Sequence, residues 1–114
     1  MELNIEDLRK ICCLENIEIT LHAAKRLEQR GIKMADIIAC IQNGKIIEQY
    51  PTDYPYPSCL ILGLSVNNQH LHVVVGSNLE TLWLITTYIQ ILRNGKLISR
   101  QERRIDYDLF FLQR

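Results

Sequence analysis

A chain of 114 residues with 47% hydrophobic content has the size of one compact domain and can bury a core without metal or disulfide staples. Thirteen bases balance thirteen acids, which excludes a protein that coats nucleic acid by bulk charge. The start carries no basic stretch leading into an apolar leader, and no apolar run approaches the roughly 20 residues that span a bilayer. A cytoplasmic protein that makes no use of the membrane is therefore expected.

The charges are segregated along the chain. Residues 1 to 21 hold five acids and two bases, 22 to 33 one acid and four bases, 34 to 90 four acids and one base, and 91 to 114 three acids and six bases. Positive charge thus gathers in one short internal stretch and in the tail. The cysteines, Cys12, Cys13, Cys40 and Cys59, form no CxxC pair, so reduced and mostly buried thiols are expected rather than a zinc site or a disulfide framework. Without a carboxylate cluster to hold a metal, no cofactor is expected either.

In chain order, Asn4 can cap a first helix whose Ile5, Leu8, Ile11 and Cys12 make an apolar stripe. The stretch Ile19 to Ile32, ITLHAAKRLEQRGI, then combines a helix start at Thr20 with a stop at Gly31. Between them His22, Arg26 and Arg30 recur every fourth residue, so a helix stacks all three along one flank, with Leu27 and Ala23 or Ala24 on an apolar side. That flank could hold a phosphate; it is also what any solvated amphipathic helix presents. His22 falls in the first turn, where the positive end of the helix dipole disfavours imidazolium and keeps the ring able to accept a proton. A third helix is predicted from about Met34 to Gln42, with Ile37, Ile38 and Ile41 inward and Asn43-Gly44 as its stop.

From Lys45 the hydrophobic period becomes strand-like: IIEQY, then CLILGLSV after a proline-punctuated loop, then LHVVV, then TLWLITTYI. Short connections favour an antiparallel meander, with Asn67-Asn68 suited to a turn. Leu60 and Leu62 oppose Cys59 and Ile61; His70, His72 and Val74 oppose Leu71, Val73 and Val75; Leu82, Leu84, Thr86 and Tyr88 oppose Trp83, Ile85, Thr87 and Ile89. Trp83 is read as core. The expected fold is α+β, three N-terminal helices packed on a four-stranded, mainly antiparallel sheet, in a single domain over residues 1–89.

Five segments together carry a resemblance: HAxxRxxxRGI in Ile19 to Ile32, DIxxxIxxGxIIExYP in Asp36 to Pro51, PSxLxLG in Pro57 to Gly63, LHVVV in Leu71 to Val75, and ITxY in Ile85 to Tyr88. They resemble the domain-of-unknown-function family numbered 4258 over residues 19 to 89. The resemblance implies a small α+β fold like that of the RelE/ParE toxins. It also implies a partner, since members are often encoded beside a zinc-finger, helix-turn-helix protein resembling the YgiT or MqsA antitoxins. Position by position, the motifs point to His22, Arg26, Arg30, His72 and Tyr88 as the polar residues of interest.

Residues 90 to 114 depart from that pattern. Codons can be chosen for Ile89 to Arg103 such that one base restored after Ile89 gives PDTEKWETDFKTRK, the kind of ending the family carries. A single-base deletion there would leave Arg93, Arg100, Arg103, Arg104 and the apolar Leu109, Phe110 and Phe111 outside selection, free to pack opportunistically or to promote association.

Two functional classes follow. One is the toxin of a bacterial toxin-antitoxin pair, a metal-independent endoribonuclease in which a ribose 2′-hydroxyl attacks the adjacent phosphodiester. His22 would serve as base or acid, Arg26 and Arg30 would hold transition-state charge, and His72 or Tyr88 would be the second proton-transfer group, on RNA alone or on the ribosome. The other is a non-catalytic binding module, or a decayed toxin relative, that pairs with an antitoxin-like protein. His72 also reads as a strand histidine satisfied by a backbone carbonyl or neighbouring hydroxyl, Tyr88 as half-core, and the tyrosines of the Tyr50 to Pro57 loop as a stiff self-packing loop rather than a base-stacking platform.

Overall fold

The computed structural model describes residues 1–90 and, in the tail, the backbone of Leu92–Arg93 and Lys96–Leu97. The sequence reading of the other tail residues, and of all tail side chains, lies outside the described residues. Helix α1 spans Ile5–Ile11, capped by the Asn4 side chain accepting from the Glu6 N–H. After a 3-10 turn at Leu14–Asn16 comes a short strand, β1 (Ile17–Ile19). Helices α2 (Leu21–Arg30) and α3 (Met34–Asn43) follow, then strands β2 (Lys45–Tyr50), β3 (Ser58–Leu64), β4 (His70–Ser77) and β5 (Leu82–Ile89). A small hairpin pairs β6 (Leu92–Arg93) with β7 (Lys96–Leu97).

The main sheet therefore has five strands, in the order β1-β5-β4-β3-β2, not four. The additional strand is β1, parallel to β5 through Ile17–Leu82, Glu18–Trp83 and Ile19–Leu84; the other pairings are antiparallel. Three residues cannot display an alternation, and a parallel pairing across more than sixty residues of sequence leaves no hairpin turn to read. The stretch from Ile19 thus opens on the last residue of a strand before its helix begins.

One face of the sheet is covered by helices. Leu8 and Cys12 of the α1 region, Ala23 of α2, and Ile37, Cys40 and Ile41 of α3 share one buried cluster with Cys59, Ile61, Leu71, Val73, Val75, Leu82 and Leu84. Cys12, Cys40 and Cys59 are buried free thiols while Cys13 is exposed, and burial pushes Cys40 and Cys59 up to about 12. Helix α3 approaches β3 closely enough that a methyl at Gly63 would overlap the Cys40 carbonyl oxygen, and one at Gly44 would come within 2.7 Å of the Leu62 carbonyl oxygen. Gly44 does end α3, but in an extended conformation (φ −92°), so close approach rather than a left-handed turn demands glycine there. Asn43 bridges the same junction, donating to the Leu64 carbonyl at 3.0 Å and accepting from its N–H at 2.8 Å. Arg9 of α1 donates to the carbonyls of Ile41 and Gly44 at 3.2 and 2.6 Å, satisfying the C-terminal end of α3.

The alternation predicted for β3 and β4 holds: Cys59, Ile61, Leu71, Val73 and Val75 face the helices, whereas Leu60 and Val74 belong to a second cluster with Ile85 and Tyr50. In β5 it does not hold throughout. The register runs Val75–Leu84, Val74–Thr86, His72–Tyr88, so Ile85 is the extra residue of a bulge. Leu82 and Leu84 face the helices, but past the bulge Thr87 takes that side, opposite Val73, and Thr86 and Tyr88 turn to the second face beside Val74 and His72. Trp83 is likewise not in the helix-side core; it is half-buried and stacks on Tyr56, ring centroids 4.6 Å apart and 10° from parallel.

Candidate functional site at the β5 margin

Helix α2 begins as its sequence dictates. Thr20 is the N-cap, its hydroxyl accepting from the Ala23 N–H at 3.0 Å, and Gly31 closes the helix in the left-handed conformation (φ 64°). Since β1 pairs only with Leu82 to Leu84, the margin of β5 beyond that point is open to another partner, and α2 supplies it. The Thr20 N–H and hydroxyl donate to the carbonyls of Leu84 and Ile85 at 3.2 and 3.3 Å, and Arg30 Nη1 donates to the Thr87 carbonyl at 2.6 Å. The helix thus straddles the margin, with Ala23 and Leu27 in the helix-side core and His22 and Arg30 turned to the second face.

Four of the five residues singled out by sequence converge there. His22 Nε2 lies 3.2 Å from Thr86 Oγ1, both side chains buried. His72 and Tyr88 are cross-strand partners, their ring centroids 5.1 Å apart and tilted by 58°. The Arg30 guanidinium carbon stands 5.8 Å from the centre of the Tyr88 ring, within cation–π range. Thr86 and His72 occupy diagonal positions of one antiparallel pair, roughly 7 to 8 Å apart along the backbone. The fifth residue, Arg26, lies on the same flank of α2 but donates to Gln29 Oε1 at 2.8 Å, along the helix. All five are engaged in polar, ionic or ring interactions.

Sequence reasoning passed over Thr86. It is the threonine of the ITxY motif, and its signal was its place two residues before Tyr88 on the same strand. The assembly offers two imidazoles, a phenol and a fixed cation within one patch of sheet. Such a set can move protons and neutralise an anion, and it needs no metal to do either. Among the described residues, no group of three or more His, Cys, Asp or Glu is placed to hold a metal ion, and no helix is long and apolar enough to cross a membrane.

Three helices on a mostly antiparallel five-stranded sheet, with a histidine- and arginine-bearing helix along one strand's margin, define an α+β domain with a polar patch at one sheet edge. The sequence pattern of the family described as "Domain of unknown function (DUF4258)" matches residues 19–89, and the chain belongs to that family. No curated protein and no solved structure matches the chain.

Proposed function

We propose that the protein is the toxin component of a bacterial type II toxin-antitoxin pair, of RelE/ParE-like fold, and a metal-independent endoribonuclease. The observation that supports this most is the convergence of His22, Arg30, His72 and Tyr88 on one patch from three elements. In the reaction the ribose 2′-oxygen bonds to phosphorus as its proton passes to one imidazole; the bond from phosphorus to the 5′-oxygen breaks as that oxygen takes a proton from the second group. The products are a 2′,3′-cyclic phosphate and a 5′-hydroxyl. His22 is the base or acid, His72 or Tyr88 its counterpart, and Arg30, joined by Arg26, offsets the charge that builds on the phosphoryl oxygens. The partner is an antitoxin-like protein of the zinc-finger, helix-turn-helix type.

One observation favours a second reading, a non-catalytic or decayed module that only pairs with the antitoxin. His22 and His72 are 4% and 1% exposed, and a buried histidine bonded to a threonine also serves structure alone. RNA cleavage in chelator separates the two. It would be run on this chain, on a version ending in PDTEKWETDFKTRK after Ile89, and on His22→Ala and Arg26→Ala in both. Cleavage that disappears in the variants supports the nuclease. Folded proteins that neither cleave free RNA nor cleave it on ribosomes leave the binding module. Co-elution with the purified neighbour-encoded protein tests the partner in either case.

A further inference from the structure

Three segments meet at the end of the sheet where β5 begins. Residues 51–57 reach it because the Ser77 N–H donates to the Pro57 carbonyl at 3.1 Å and Tyr56 lies flat on Trp83. Residues 14–18 reach it because Ile17 and Glu18 pair with Leu82 and Trp83, and residues 77–83 span the β4–β5 connection itself. Together the three hold four acids and no base. They also carry apolar surface that the core does not use. Tyr54 is 80% exposed and Leu79 42%, and Tyr56 remains 38% exposed although its ring is stacked. Leu79 stands at the hairpin tip in the left-handed conformation (φ 73°), its N–H donating to the Ser77 hydroxyl at 2.9 Å. Glycine or asparagine would turn the chain there with less strain. An apolar side chain held outward at a position suited to a small residue points to contact with something outside the domain.

We propose that this end of the sheet docks an arginine-rich segment of a partner protein. Guanidinium groups stack on the rings of Tyr54 and Tyr56 and pair with Glu18 and Glu80, while an apolar residue of the segment meets Leu79. Both glutamates are exposed, and neither forms an ion pair among the described residues. Glu18 is the register partner of Trp83, so a carboxylate and the aromatic stack occupy neighbouring positions of the sheet. The sign of the charge selects the occupant. Four carboxylates with no base among them repel a phosphate backbone and an anionic bilayer surface alike, whereas an arginine-rich segment is drawn by the charge and by the rings together. The surface is also separate from the His72 cluster, since Trp83 and Tyr88 lie five residues apart on β5, roughly 13 to 16 Å at about 3.3 Å per residue. Docking here therefore stands apart from the nuclease reading.

Trp83 is the chain's single tryptophan, so its emission reads occupancy of this surface. The probe is the capped peptide RLRRLR, titrated into the full chain at low salt beside KLKKLK, ELEELE and hexadeoxyuridylate, which the nuclease reaction cannot cleave. The expected result is a saturable change with RLRRLR, a weaker one with KLKKLK because an ammonium does not stack as a guanidinium does, and none with the two anionic probes. Glu18→Lys/Glu80→Lys should weaken RLRRLR binding by about tenfold or more, and Tyr54→Ala by about threefold or more. Asp7→Lys/Glu28→Lys makes the same change of charge at exposed positions of α1 and α2 and should alter it by less than about twofold. No saturable change with RLRRLR overturns the proposal. So do equal losses in the two charge-reversed variants, KLKKLK binding as tightly as RLRRLR, or a stronger response to hexadeoxyuridylate, which would give the surface to nucleic acid. Urea denaturation checks that each variant is folded; should Glu18→Lys unsettle β1, Glu80→Lys and Tyr54→Ala, both outside the strands, decide by themselves.

Discussion

The two faces of the sheet are built on different principles. The helix-side face is apolar almost throughout, and its contacts are steric: Ile61, Val73, Val75, Leu82 and Leu84 against Ile37, Ile41 and Leu8, with glycine wherever backbone meets backbone. The second face buries as deeply but mixes Leu60 and Val74 with His72, Thr86 and Tyr88. Close packing of hydrocarbon is sufficient reason for the first face. Burying two imidazoles, a threonine and a phenol together offers no comparable gain from hydrophobic transfer, so the second face is where function is to be sought.

The largest effect that would sharpen this contrast is chemical. If the second face is a nuclease site, His72→Ala lowers RNA cleavage by about 10²- to 10⁴-fold, the usual worth of a proton-transfer group, under conditions where the urea midpoint followed by Trp83 fluorescence shows the variant still folded. A large midpoint shift with unchanged cleavage would make His72 a structural residue. Next comes a pair of neighbours on opposite faces. Ile61→Ala should cost about 2 to 5 kcal/mol of stability, and Leu60→Ala measurably less, because among the described residues Leu60 packs in a small cluster with Val74, Ile85 and Tyr50 and not in the large helix-side core; equal losses would erase the distinction. Removing the cation that seals the helix layer, Arg9→Ala, should cost about 1.5 to 3 kcal/mol, since two carbonyls lose a charged donor. The smallest effect has the opposite sign. Gln90 is 7% exposed, and neither amide atom has a hydrogen-bond partner among the described residues, so Gln90→Leu should raise stability by about 1 kcal/mol, read from the same denaturation curve.

The Gln90 amide, without a hydrogen-bond partner among the described residues, stands just past the last residue that the family pattern matches. Much else was legible. Caps and periods placed all three helices to within a residue or two, because Thr20, Gly31 and Asn4 each act locally. The faces of β3 and β4 followed from alternation alone. What failed was non-local. No local signal announces that Ile17–Ile19 pairs in parallel with a strand at the other end of the domain, and none marks Ile85 as an extra residue, since an ILE-THR-THR run alternates as plausibly with a bulge as without. The site was legible as a set of residue types on one helix and two strands. That His22 meets Thr86, and that Arg26 turns along the helix, depends on how α2 seats against β5, which sequence spacing does not encode.

The bulge at Ile85 gives β5 two independent addresses. Before it, side chains report to the hydrocarbon layer; after it, Thr86 and Tyr88 report to the polar patch. Mutation can therefore explore the chemistry of the patch while the packing layer is left intact, and the layer can drift while the patch stays aimed. Pairing Ile85 in regular alternation, with no bulge, would return Thr86 to the side of Leu84 and drive Thr86 and Tyr88 into the oil. In this strand an irregularity of a single residue separates what holds the domain together from what the domain is free to become.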